Sequence, residues 1–149
     1  MQRWKPNVTV ATVVERDGCF LLVKEHTSQG IRYNQPAGHL EHGETLLDAA
    51  RRETLEESGW QVEPYALIGI YQTEARHDDM TYLRFAFACR AIEYHRDRPL
   101  DQGIISADWF TAQQIGELSA EHRSPAVARC LYDYLQGQRH PLALIQHLL

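Results

Sequence analysis

Cysteine is scarce in this 149-residue chain: Cys19, Cys89 and Cys130 are odd in number and widely spaced. Such a set makes no disulfide framework. Each lies in an apolar run, so buried free thiols in a reducing compartment are expected. The eight histidines show no paired zinc spacing; His39 and His42 flank a loop and are expected to line it. No apolar run approaches the ~20 residues that cross a bilayer, and the opening MQRWKPNVTV has no signal-peptide pattern. The expected location is therefore the cytoplasm. A basic excess is missing as well: 15 Lys and Arg stand against 20 Asp and Glu, a formal charge of −5. That argues against a broad footprint for nucleic acid or an anionic membrane. Repeats, linkers and low-complexity segments are absent. What remains, at 44% hydrophobic and 23% charged, reads as a single domain over residues 1–149, able to bury a sizeable core. With no extra apolar face evident, a monomer is expected.

The local pattern alternates between strand and helix signals. Val8 to Val14 is rich in β-branched residues and predicts a strand. The Asp17-Gly18 pair predicts a hairpin turn into a second strand over Cys19 to Lys24. A short strand over Ile31 to Gln35 stops at Pro36, and a Pro36-Ala37-Gly38 turn follows. Residues Gln61 to Glu74 read as strand-rich, with Pro64 as punctuation. A turn over Ala75 to Met80 and a strand over Thr81 to Ile92 come next, and Ile104 to Phe110 is a further strand. Thr111 is a candidate N-cap for a short helix. Ser124-Pro125 opens a second helix, running to about Gln136, with Val127, Leu131 and Leu135 as its expected apolar stripe. The apolar tail from His140 is expected to pack back. Strands, one helix, more strands and two late helices fit an α/β fold with a mixed sheet covered on both faces.

The stretch GHLEHGETLLDAARRETLEESGW, from Gly38 to Trp60, organises the chain. Thr45 to Ser58 has no Gly or Pro and is dominated by helix formers, and Gly59 suits a left-handed helix end. At three- and four-residue spacings Glu53, Glu56 and Glu57 share one face. Leu46, Ala49 and Ala50 project to the same side, so that face is not open solvent. Carboxylates gathered in a cleft make sense when a divalent cation neutralises them, and Mg²⁺ or Mn²⁺ favours such hard oxygen ligands.

The full spacing resembles the Nudix box, Gly-x5-Glu-x7-Arg-Glu-U-x-Glu-Glu-x-Gly-U, with U a bulky apolar residue. Every fixed position matches; the departures are Thr54, which is polar, and Trp60, which is larger than the usual aliphatic. The resemblance covers nearly the whole chain and implies an α/β/α sandwich with the box as a loop–helix–loop. It further implies Glu53, Glu56 and Glu57 as metal ligands, joined by the Gly38 carbonyl. Arg52 would hold the catalytic carboxylates, Glu44 would lie beside it, and Glu53 would take the proton from water. The words KPNVTVA, NQPAGHLE, LRFAFA and RSP are similar to a bacterial phosphatase branch of the family. That likeness implies a Mg²⁺-dependent enzyme, with Mn²⁺ as a possible substitute, releasing orthophosphate from thiamine-pyrimidine pyrophosphates and nucleoside di- and triphosphates. Marks of the ADP-ribose and dinucleoside-polyphosphate subclasses are not evident at Ala75, Arg76, His77 and Asp78. Alternatives are a dinucleoside-polyphosphate or ADP-sugar pyrophosphatase on the same fold, or a Nudix module that binds a nucleotide without cleaving it.

Outside the box, candidates are individual side chains. Many relatives carry a further acid before the Trp-Phe strand, and here only Asp101 could serve. Arg84, a basic residue in an apolar strand, either binds phosphate from the cleft or faces outward. Tyr33, Tyr71 and Trp4 are candidates to stack on a pyrimidine ring. Asn34 and Gln35 are candidates to read base edges or to satisfy the turn backbone. Arg123 is expected to be solvated rather than to contact phosphate.

Overall fold

The computed structural model describes residues 2–75 and 79–149. A seven-stranded sheet has helices on both faces, as the sequence pattern predicts. Strand β1 (Asn7–Arg16) and β2 (Cys19–Thr27) form a hairpin through Asp17 (φ 52°) and Gly18 (φ 79°), the left-handed pair that an Asp-Gly turn supplies. Strand β3 (Gly30–Asn34) pairs with β2. Ala37 and Gly38, expected within a Pro36-Ala37-Gly38 turn, instead belong to a short strand β4 (Ala37–His39) pinned antiparallel to β1, with Val10 opposite Gly38. After helix α1 (Leu46–Ser58), β5 (Trp60–Glu74) and β6 (Thr81–Tyr94) form a long antiparallel pair. Pro64 does not interrupt β5: it lies on the outermost strand, beside a register shift between Pro64 and Ala66, where a missing N–H is tolerated. Strand β6 lies parallel to β1, which makes the sheet mixed. Strand β7 (Ile104–Phe110) adds to β2, and helices α2 (Ala112–Glu117) and α3 (Pro125–Leu135) follow.

Alternation along the strands divides the core into two. Val13, Ile68, Ala86 and Ala88 pack beneath α3 with its Cys130 and Leu131. Val10, Val14, Leu67 and Phe87 pack beneath α1 with its Ala49 and Ala50. Leu135 does not join the α3 stripe and is 51% exposed. The buried face runs instead through Val127, Cys130, Leu131 and Tyr134, whose hydroxyl donates to Glu15 at 2.6 Å. Cys89 and Cys130 are buried, but Cys19, at the hairpin turn, is only half-buried. The tail packs back through Leu142 and Ile145 against the second cluster, and His140 bridges to Leu67. Among the described residues no helix is long and apolar enough to cross a membrane. Arg76, His77 and Asp78, which carry most of the subclass comparison and the middle of the turn expected at Ala75 to Met80, lie outside the described residues.

Candidate active site

Helix α1 starts and stops where its sequence directs. The Thr45 side chain accepts from the Asp48 amide at 3.1 Å, and Gly59 (φ 78°) terminates the helix, its amide donating to the Leu55 carbonyl. The two departures from the box pattern each have a structural use. Thr54 is fully buried, and its hydroxyl meets that of buried Thr12 at 2.8 Å while bonding the Ala50 carbonyl, so a polar residue is satisfied where the helix crosses β1. Trp60 packs edge-on against Trp109, with ring centroids 5.3 Å apart, beside Tyr94 and beneath Arg16. A larger ring is accommodated because Trp109 forms one wall of its pocket.

The polar face of α1 is organised by Arg52. Its Nε and Nη2 grip Glu44 through both carboxylate oxygens, at 2.6 and 3.0 Å. Its Nη1 donates to Glu53 at 2.7 Å and to Glu56 at 3.2 Å, and Nη2 also reaches the His39 carbonyl at 3.1 Å. This bidentate contact holds the Glu44 carboxyl below the usual carboxylate range. Burial pushes the Glu53 carboxyl above that range, opposed by Arg52 and reinforced by Glu56 and Asp101. The Glu53 carboxyl lies directly against Gly38, where an added Cβ would overlap it. Glu57 turns toward the sheet and accepts from the Ala37 amide at 2.9 Å. Burial pushes its pKa up to about 8; the Ala37 bond opposes this, while Glu25, Glu53 and Asp101 add negative charge nearby.

One oxygen each from Glu53, Glu56 and Asp101 lies within 4.8 Å of the others. Asp101 is placed by its own amide, which donates to the Glu56 carbonyl at 2.9 Å and so ties the loop before β7 to the end of α1. These three carboxylates are all oxygen donors and suit a hard dication, while Glu57, bonded to the Ala37 amide, is not among them.

The remaining candidates divide into two groups. Arg84 is not outward-facing: it is 6% exposed on the sheet face under α3. Its Nη2 donates to Asn34 Oδ1 at 3.1 Å and to Gln35 Oε1 at 2.9 Å, and Gln35 in turn donates to the Val127 carbonyl of α3 at 2.9 Å. Among the described residues no carboxylate pairs with Arg84, and its buried Nε has no partner. Burial accordingly pulls its pKa down. Tyr71 lies opposite Arg84 in the β5–β6 register, and its hydroxyl donates to Asp133 at 2.7 Å. Tyr33 packs edge-on to Phe110, with ring centroids 5.8 Å apart, and Trp4 is 61% exposed.

Two charged residues near the box were not anticipated as a pair. Glu25, on β2, is 9% exposed, and Arg123 bonds it through Nη1 at 2.5 Å. The signal in the sequence is parity: Glu25 is in phase with buried Leu21 and Val23, so a period-two reading points it inward.

Comparison with known proteins bears on this arrangement. A model of the NUDIX domain matches residues 3–132. The chain is 42% identical over 142 residues to the phosphatase NudJ of Escherichia coli strain K12, covering 95% of this chain and 92% of that protein. It superposes on a NUDIX hydrolase from Nitrosomonas europaea with a TM-score of 0.93 and 46% identity, over 96% of this chain and 97% of that one. A MutT NUDIX hydrolase from Burkholderia pseudomallei, 18% identical with a TM-score of 0.74 over 87% of this chain and 98% of that one, shares the fold.

Proposed function

The chain belongs to the NUDIX family of hydrolases, and from that premise we propose that it is a Mg²⁺-dependent phosphohydrolase of small diphosphates and triphosphates. Nucleoside di- and triphosphates and thiamine-pyrimidine pyrophosphates are the proposed substrates, with orthophosphate as product. The observation that carries this reading is the convergence of Glu53, Glu56 and Asp101 beside Gly38 and Arg52. Glu53, Glu56, Glu57 and the Gly38 carbonyl are the proposed ligands, with Asp101 added by its position. A dication bound there would offset phosphate charge and supply an activated water. Glu53 would be placed to accept a proton from water, its carboxyl held by Arg52, which Glu44 fixes. Arg84 binds a substrate phosphate, held by Asn34 and Gln35: a buried guanidinium without a carboxylate is costly until an anion arrives. Tyr71 lines the same face, and Tyr33 supports it by packing.

The test is product analysis from a panel of nucleotides and pyrimidine pyrophosphates with Mg²⁺. Orthophosphate is expected, whereas two nucleoside or sugar phosphates would replace this reading with that of a pyrophosphatase. Tight binding without turnover would replace it with that of a binding module. Arg84→Gln is expected to raise KM roughly tenfold or more, the scale of a charge-assisted hydrogen bond; an unchanged KM would remove Arg84 from the substrate site.

Metal binding is expected to depend on pH. In the metal-free fold Glu57 titrates near 8, against about 4.5 in the unfolded chain. Between those values the folded state holds the extra proton. Stability present below about 4.5 is therefore lost as pH rises through the window to about 8. A dication must displace that proton, so its affinity rises over the same range. The gap in Tm with and without MgCl₂ is expected to widen as pH rises through this window. A gap independent of pH would count against Glu57 as a ligand.

A further inference from the structure

We propose that Arg123 is a substrate-binding residue whose guanidinium fork is presented to a phosphate group by Glu25, a positioning residue on the wall facing the box. The proposal rests on the phosphohydrolase reading and extends it beyond α1. Glu25 is a nearly buried carboxylate close to the turn that carries Asp101. Its place in the fold accounts for this. It lies on β2 at the register shift against Ile104 of β7, and the preceding turn carries Asp101; the His26 amide also bonds the Gly103 carbonyl at 2.9 Å. Burying a carboxylate is expensive unless a cation attends it. Arg123 is that cation.

The ion pair is not needed to anchor the loop before α3. The Arg123 amide already donates to the Tyr33 carbonyl at 2.8 Å, His122 bridges to Tyr33, and Ser124 caps the helix by accepting from the Ala126 amide at 3.2 Å. Glu25 takes Nη1 of the guanidinium, yet 49% of the Arg123 side chain remains exposed. A guanidinium fixed at one nitrogen and open at the rest is a preorganised phosphate donor.

The test measures binding of imidodiphosphate, a non-hydrolysable diphosphate, by calorimetry with Mg²⁺, alongside kcat and KM. Arg123→Gln is expected to weaken imidodiphosphate binding and raise KM about tenfold, with kcat changed less. Glu25→Gln should weaken both in the same direction. The double variant should be no worse than Arg123→Gln alone, because Glu25 acts through Arg123. Arg123→Lys keeps the charge and should melt with the wild type, yet retain most of the loss in affinity because the fork is gone. Unchanged affinity in Arg123→Gln, additive losses in the double variant, or full recovery in Arg123→Lys would each overturn the proposal. A wild-type protein that binds imidodiphosphate through Arg123 but releases no phosphate would sink the hydrolase reading and leave this site standing; one that binds no imidodiphosphate overturns both.

Discussion

Glu53→Gln is expected to lower kcat by roughly 10² to 10⁴, the range that a positioned acid or base contributes, without unfolding the protein. Glutamine keeps the shape of the side chain but removes the charge and the ability to take a proton. The folded state should tolerate this. Glu53 sits among Glu56 and Asp101, and burial already disfavours its ionised form, so neutralising it relieves repulsion in the metal-free protein. Arg52 keeps its two bonds to Glu44 and one to Glu56. Tm without metal should therefore be unchanged or higher, while the rise produced by MgCl₂ shrinks, because a ligand that stabilises only the folded state contributes according to its affinity. Rates of phosphate release and paired melts with and without MgCl₂ check both halves. Turnover equal to wild type would leave the proposed mechanism without its base.

The legibility of this chain follows from how local each feature is. The end of the box helix could be read from Gly59, which acts on its own neighbours, whereas Thr45, counted with the helix formers, instead caps it from outside. The strands could be read because their alternation is a property of consecutive residues, and the two-faced sheet followed from their order. Features that depend on a partner distant in sequence could not. Strand β4 has no signal of its own: three residues are extended because β1 offers them a free edge. Leu135 looked like a core residue by spacing, but the register of α3 on the sheet favours Tyr134. Arg84 was ambiguous because its strand could not say what lay opposite; Asn34 and Gln35, about fifty positions earlier, take it inward. The Glu25–Arg123 pair spans 98 positions, and nothing in either segment names the other. Asp101 could be named as a candidate by its place before the Trp109-Phe110 strand, but only the bond from its amide to the Glu56 carbonyl brings it to the cluster.

Gly38→Ala is expected to lower kcat by roughly 10², about as much as misplacing a catalytic group by an ångström, with stability held or slightly raised. The backbone at Gly38 lies outside the left-handed region, so alanine meets no conformational penalty there. A Gly→Ala change at a compatible position stabilises by about 0.4–1 kcal/mol through the unfolded chain. The obstacle is the added methyl, which would fall on the Cδ and both oxygens of Glu53. Strand β4 cannot yield: it is paired to β1 opposite fully buried Val10, and Leu40 is tied by its amide to the Val8 carbonyl at 3.0 Å. Glu53 must therefore move, breaking its 2.7 Å contact with Arg52 and leaving Glu56 and Asp101 without their third oxygen. Because both substitutions act on one carboxyl group, Gly38→Ala combined with Glu53→Gln should cost little more than Glu53→Gln alone. Purely additive losses would place the effect of Gly38 elsewhere, in the backbone carbonyl rather than in the space it leaves for Glu53.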